Sequence, residues 1–258
     1  MAKRFPTYHA AVINWRIVGY TLIALTLAMP GPALAGRFVN ITETATFPRG
    51  EGELVQATAF SQCRDQACAN EALEFQVGVE YGLLDRLQVG FALPQVATVW
   101  AEGDQATEVG GTLVWGLYNF IDPTTRGWGL SAAIIYAEGQ EERGADLALL
   151  AEKPLGDWVV VYNAVGGRTW AGVDEFGRAD AMSHRLGVSY QVSGSLFLGV
   201  ECDWFLEDTP DTSWTTSGRF VGPNLSVTAG PLWVTAAAHF SAGSPEASPD
   251  HILQAQVG

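Results

Sequence analysis

The 258-residue chain is 48% apolar and only 16% charged, below the roughly 25% charge usual for soluble domains. Past the leader, no apolar run reaches the roughly 20 residues a membrane helix needs, so the apolar surface must be spread along strands. The formal charge of −14 argues against nucleic acid or anionic lipid as a partner.

The first 35 residues read as an export signal. Lys3, Arg4 and Arg16 form a basic leader, residues 17–29 are an apolar run, Pro30 breaks it, and Ala33-Leu34-Ala35 is a small-residue cleavage site. Cleavage between Ala35 and Gly36 is expected. The run is shorter than the roughly 20 residues of a spanning helix, and no stop-transfer cluster follows it. Loss of the three basic residues takes the formal charge from −14 to −17. Residues 36–52 are expected to be a periplasmic N-terminal segment, and residues 53–258 a single domain.

In that domain the pattern is alternation. Residues 73–93 read LEFQVGVEYGLLDRLQVGFAL, two runs that switch between apolar and polar at every residue and are joined by a tight turn, as in half-buried strands. The pattern recurs at about 53–62, 71–81, 85–99, 106–120, 127–138, 145–153, 158–170, 179–191, 195–206, 215–229, 232–241 and 250–258, giving about twelve strands. The connections alternate too: odd-numbered ones are polar and longer, and even-numbered ones are mostly tight turns, with 121–126 the exception. Long loops at one end and short turns at the other are the asymmetry of an outer-membrane barrel. The fold expected is all-β, an antiparallel up-and-down transmembrane β-barrel. Its partners would be outer-membrane lipid and the barrel-assembly machinery, and its state monomeric.

The two faces follow from cost. An Arg or Lys facing lipid at mid-membrane costs roughly 2–4 kcal/mol and a carboxylate less, so the polar side of each strand should line the lumen. That places Glu74, Gln76, Glu80, Arg86, Gln88, Glu108, Asp146, Glu152, Asn163, Arg185, Glu201 and Asp203 inside. Leu73, Phe75, Val77, Val79, Leu87, Val89, Phe91, Leu113, Trp115, Leu117, Leu186, Val188, Leu198, Val200, Leu225, Val227, Val234 and Phe240 are expected to face lipid. The seventh strand is irregular, because Val159, Val161 and Val165 share the side of Asn163. Tyr81, Phe120, Trp128, Trp158 and Tyr190 lie by the short turns, and Trp100, Tyr136, Trp170, Trp204 and Trp214 by the long loops. Two such sets read as the interfacial girdles of a barrel. Cys63 and Cys68 bracket a short polar segment, and in an oxidising periplasm such a pair closes a small disulfide loop. Cys202 stands alone in a strand.

Residues 73–94 resemble a signature of outer-membrane transporters labelled "meta pathway of phenol degradation". Val161-Tyr162-Asn163-Ala164-Val165-Gly166 is similar to that family's hydrophobic-Asn-hydrophobic-Gly strand, and Gly199-Val200-Glu201 to its Gly-x-Glu strand. The resemblance implies a monomeric barrel that passes aromatic or other small hydrophobic molecules. It places Glu80, Asp85 and Arg86 at a periplasmic turn and points Asn163 and Glu201 inward. Two features depart from the family: the sequence given ends in Gly258 rather than an aromatic residue, and Ala137-Glu138-Gly139 replaces a Pro-Thr-Gly turn.

The functional expectation is a channel for passive uptake of small hydrophobic, aromatic or neutral solutes, with no catalytic residues, no cofactor and no metal. An outer-membrane lipid hydrolase would need a Ser activated by an oriented His. Past the leader only His184, His239 and His251 are available, and neither His239 with Ser241 nor His184 with Ser183 and Ser189 sits in a nucleophile motif. A structural or adhesive barrel acting through short acidic loops (Glu138, Glu141, Glu142, Asp174, Glu175, Glu207, Asp208, Asp211) is the third class. Inward carboxylates outnumber inward arginines, so a polar pathway should favour cations or neutral solutes.

Overall fold

The computed structural model describes residues 37–63, 71–101, 104–139, 142–171, 177–209, 212–243 and 249–258. The expected leader and its cleavage site at Ala35 and Gly36 lie outside these residues, as do Cys68, Glu141, Asp174, Glu175 and Asp211.

The alternation folds into a single antiparallel sheet that closes on itself. The strands are β1 (Gly52–Gln62), β2 (Glu71–Leu84), β3 (Leu87–Ala92), β4 (Val96–Ala101), β5 (Asp104–Val109), β6 (Thr112–Ile121), β7 (Gly129–Glu138), β8 (Glu142–Leu155), β9 (Trp158–Ala171), β10 (Gly177–Ser193), β11 (Leu196–Thr209), β12 (Thr212–Ala229), β13 (Leu232–Ser241) and β14 (His251–Val257). β2 pairs with β3 through its C-terminal half and with β4 through its N-terminal half, so β3 and β4 are one interrupted staff. β5 and β6, which pair with β4 and β3, form the next. The barrel therefore has twelve staves, closed by β1 against β14. Among the described residues every strand but β5, which pairs with β4 alone, is paired on both sides, and closure of this kind is the condition for crossing hydrocarbon with strands. No helix among the described residues is long and apolar enough to span.

The interruptions matter for which side chains face where. Pro94 cannot donate to the ladder, and across residues 93–95 the inward set passes from Gln88, Gly90 and Ala92 to Ala97, whose register partner is the inward Glu74. The Gly110-Gly111 break does the same on the next stave. An odd insertion reverses every side chain beyond it. Leu113, Trp115 and Leu117, expected to face lipid, therefore face the lumen, Leu117 only 2% exposed, while Val114, Tyr118 and Phe120 face outward.

Elsewhere the outward face carries exposed Leu73, Val79, Tyr81, Phe91, Leu186, Leu198, Val200, Leu225, Val227, Val234 and Phe240. Trp158 and Tyr190 pack together at the short-turn end, with centroids 4.8 Å apart. Near the other end, the Arg219 guanidinium lies 5.3 Å from the Trp204 ring centre. Outward ion pairs such as Arg168 with Asp180, at 2.6 Å, sit four residues further along. A bilayer is spanned by about 9–11 tilted residues, whereas β8 to β12 run to 14, 14, 17, 14 and 18. That side of the wall continues past the aromatic level, where charge costs little.

The long even-numbered connection holds the helix α1 (Pro123–Arg126), a single turn with Pro at its start and Gly127 in the left-handed conformation at its end. Asp122 caps it. The Thr124 hydroxyl and N–H groups of the turn hold its carboxyl below the usual aspartate range. The all-β pattern of the sequence gives no sign of it, because a one-turn helix is too short to show periodicity.

Candidate functional site: a lumen stopped by the N-terminal segment

The lumen is occupied by the protein's own chain. Residues 37–47, within the segment expected to hang in the periplasm, run inside the barrel. Phe38, Ile41, Thr44 and Phe47 are buried there, Thr44 completely. The segment enters at the short-turn end, where Arg49 N–H donates to Asp85 (3.4 Å) and Thr46 Oγ1 to the Asp85 carbonyl (3.2 Å).

An irregular backbone inside a barrel must find partners for its N–H and C=O groups. The inward polar side chains of the wall supply them. Glu201 accepts from the N–H of Val39 (2.9 Å) and of Asn40 (3.0 Å). Glu152 accepts from the N–H and hydroxyl of Thr44, and Gln88 from the N–H of Phe47 (3.1 Å). The carbonyls are met by Asn224 at Arg37 (3.1 Å), Gln256 at Val39 (3.1 Å), Arg185 at Asn40 (2.7 Å), and both Asn119 (2.6 Å) and Ser131 (2.7 Å) at Thr44. The Asn40 side chain donates to Asp203 (3.0 Å). Arg37 folds back onto Glu43 and also reaches Glu152 at 2.9 Å.

Apolar contacts complete the fit. Phe38 and Ile41 form one buried cluster with Val159 and Val161, which accounts for the irregular seventh strand: its valines face a segment of chain rather than water. Gly187 makes room for them, since a Cβ there would stand 2.4 Å from Phe38 Cε1 and 2.8 Å from Ile41 Cδ1. A second cluster, Leu117, Ala133, Ala148 and Leu150, lines the wall of β6 to β8.

The residues singled out in the sequence divide accordingly. Gln88, Glu152, Arg185, Glu201 and Asp203 are lumen groups that hold the segment. Asn163 is buried beside them, next to Arg185 in register. Glu74, Gln76, Glu80 and Asp146 are on the inward face; Gln76 donates to the Leu93 carbonyl (3.1 Å), and Glu80 accepts from Gln88 (2.5 Å). Arg86 does not line the lumen, because it sits exposed in the β2–β3 turn. Glu108 is paired with the inward Ala97 but is exposed in β5, beyond the stave's break. Cys63 is buried at the end of β1; the expected pairing with Cys68 falls outside the described residues. Cys202 is free and exposed.

Sequence reading missed Asn119, Ser131, Asn224 and Gln256, all inward, and weighed His239, also inward, only as a partner of Ser241. Their parity with neighbouring lumen residues was a usable signal, but the partner segment was not. His239 Nε2 lies 3.5 Å from Glu201 and 3.9 Å from Asp203, so it stands against carboxylates. His184 faces outward and bonds Tyr162 Oη through Nδ1 at 2.6 Å. Among the described residues no three metal-ligating side chains converge.

Beside the segment a cavity of about 710 Å³ remains. Its lining takes in segment residues from Arg37 to Phe47 together with wall residues such as Leu113, Ile135, Gly194 and Thr228.

No protein family and no curated protein matches the chain. Solved structures do. A KdgM porin is similar with a TM-score of 0.53 at 8% identity, over 79% of this chain and 98% of that one. A NanC porin is similar with a TM-score of 0.54 at 10% identity, over 80% and 98%. A KdgM porin in complex with disordered oligogalacturonate is similar with a TM-score of 0.51 at 9% identity. The fold is thus that of the porin-like transmembrane β-barrels, here with an occupied lumen.

Proposed function

We propose that this chain is an outer-membrane channel for passive movement of small hydrophobic, aromatic or neutral solutes, with residues 37–47 setting its aperture. The observation that carries the reading is the cavity running the length of the segment. Its wall mixes apolar Leu113, Trp115, Leu117 and Ile135 with amide groups such as Gln76 and Gln256, a lining suited to small amphipathic molecules rather than to hydrated ions. The similarity of residues 73–94 to the transporters labelled "meta pathway of phenol degradation" agrees with aromatic cargo. The oligogalacturonate of the KdgM neighbour is a polyanion, which the acidic lumen here would repel, so its ligand is not carried over. The reading includes export by a cleaved signal, insertion by the barrel-assembly machinery and a monomeric barrel, and it assigns no catalysis.

The test is flux. Purified protein in liposomes is expected to admit phenol and benzyl alcohol faster than protein-free liposomes do. In planar bilayers it is expected to give small, steady conductance, because the segment leaves only a narrow path. A barrel that raises neither flux nor conductance would be structural.

A further inference from the structure

We infer that the cavity binds small organic cations, a positively charged nitrogen on an aromatic or aliphatic body, at a seat formed by Glu53, Glu80 and Trp115. The inference rests on the channel reading above and names the chemistry that reading leaves open.

The three side chains stand in one transverse row of the wall. Glu53 is the register partner of Glu80, Glu80 of Gly90, and Gly90 of Trp115, so the row crosses β1, β2, β3 and β6 at one level. Gly90 lets the row work as a unit. A Cβ there would stand 2.1 Å from Trp115 Cε2 and 2.2 Å from Cζ2, so the indole lies over the bare backbone of β3. Neighbouring strands are about 4.8 Å apart, and the indole, in the place a side chain of β3 would take, reaches the strand that carries Glu80.

Each carboxyl group is held by a neutral hydrogen-bond donor. Glu53 Oε2 accepts from Trp233 Nε1 at 2.9 Å, and Glu80 Oε2 accepts from Gln88 Nε2 at 2.5 Å. Among the described residues neither has a Lys, Arg or His within ion-pair distance. The cavity's charged lining is Glu43, Glu53 and Glu80 with Arg37, and Arg37 is already bound to Glu43 and Glu152. The lining thus holds more carboxyl groups than cations, in a barrel interior where charges are poorly screened. Two carboxyl groups on register-paired positions, neither with a cationic partner, and an indole further along the same row are complementary to a monocation whose body prefers the apolar wall. An anion meets repulsion in the same place, and a neutral aromatic gains only the wall.

The test uses full-length folded protein in detergent, titrated calorimetrically with benzyltrimethylammonium, benzyl alcohol and phenylacetate. The cation is expected to bind at least about tenfold more tightly than the alcohol, and phenylacetate to give no binding. Glu80→Gln and Glu53→Gln should each reduce cation affinity and leave the alcohol unchanged, because the amide keeps the shape and removes the charge. The cation-to-alcohol ratio of the unmodified protein decides even if a variant fails to fold. Equal affinity for cation and alcohol, or a preference that survives both substitutions, overturns the inference. Cation binding in detergent with no flux of any probe in liposomes would overturn the channel reading and support the seat. Flux of benzyl alcohol with no cation preference would do the reverse.

Discussion

Thr44 and Glu152, 108 residues apart in sequence, are joined twice: the Thr44 N–H donates to Glu152 Oε2 at 3.1 Å and its hydroxyl to the same oxygen at 2.9 Å. One wall carboxylate thus holds the backbone and the side chain of a residue with no exposed surface. Its other oxygen takes Arg37.

Glu152→Ala leaves the Thr44 donors without their acceptor. A stranded buried donor costs about 1–3 kcal/mol, and the loss falls on the segment rather than on the strand ladder. Faster hydrogen exchange at the amides of residues 38–47, with unchanged exchange in β8 and β9, is the expected result. Equal loosening of the strands would mean that Glu152 supports the wall instead.

Gly187→Leu tests the same docking by volume. The added side chain occupies the space of Phe38 and Ile41, and overpacking of this kind costs about 1–3 kcal/mol. Mean conductance in planar bilayers is expected to rise, while the boiled and unboiled forms still separate on a denaturing gel as for a folded barrel. Unchanged conductance would show that the segment does not limit the path.

Removing residues 37–47 takes out the obstruction and leaves all the strand pairings. The lumen carboxylates Glu152, Glu201 and Asp203 then meet water, where charge is cheap. A folded barrel with several-fold larger conductance and weaker solute discrimination is expected. Failure to fold would assign the segment to the core rather than to the gate.

Trp115 distinguishes the two possible facings of β6. In liposomes of brominated lipid, Trp128→Phe should remove quenched emission, since Trp128 is exposed on the outside, and Trp115→Phe should remove emission the bromine does not reach. The opposite result would put the reversal at Gly110-Gly111 in error.

Strand number, turn asymmetry and most of the facing were legible because they are local: a period of two survives any tertiary context that keeps one side greasy. Two things were not. The reversal on the third and fourth staves comes from Pro94 and Gly110-Gly111, and Leu113, Trp115 and Leu117 are as hydrophobic as lipid-facing residues, so nothing in their composition betrays the side they take. The segment in the lumen has no period at all. RFVNITETATF reads as a polar linker, and its fixed course depends on partners at residues 88, 119, 131, 152, 201 and 224, each on a different strand. The one trace it left was Val159 and Val161 on a polar face, two residues greasier than a water-filled lumen requires.

The connection between the segment and the wall is short and itself bonded. Gly50 N–H donates to the Gly82 carbonyl at 2.9 Å, and Gly82 N–H to the Glu51 carbonyl at 2.8 Å, so β1 begins only a few residues after Phe47. A stopper on so short a leash is captive. Once out of its seat it would still be tethered, and its return would be first order, at a rate set by the leash rather than by how many molecules share the membrane.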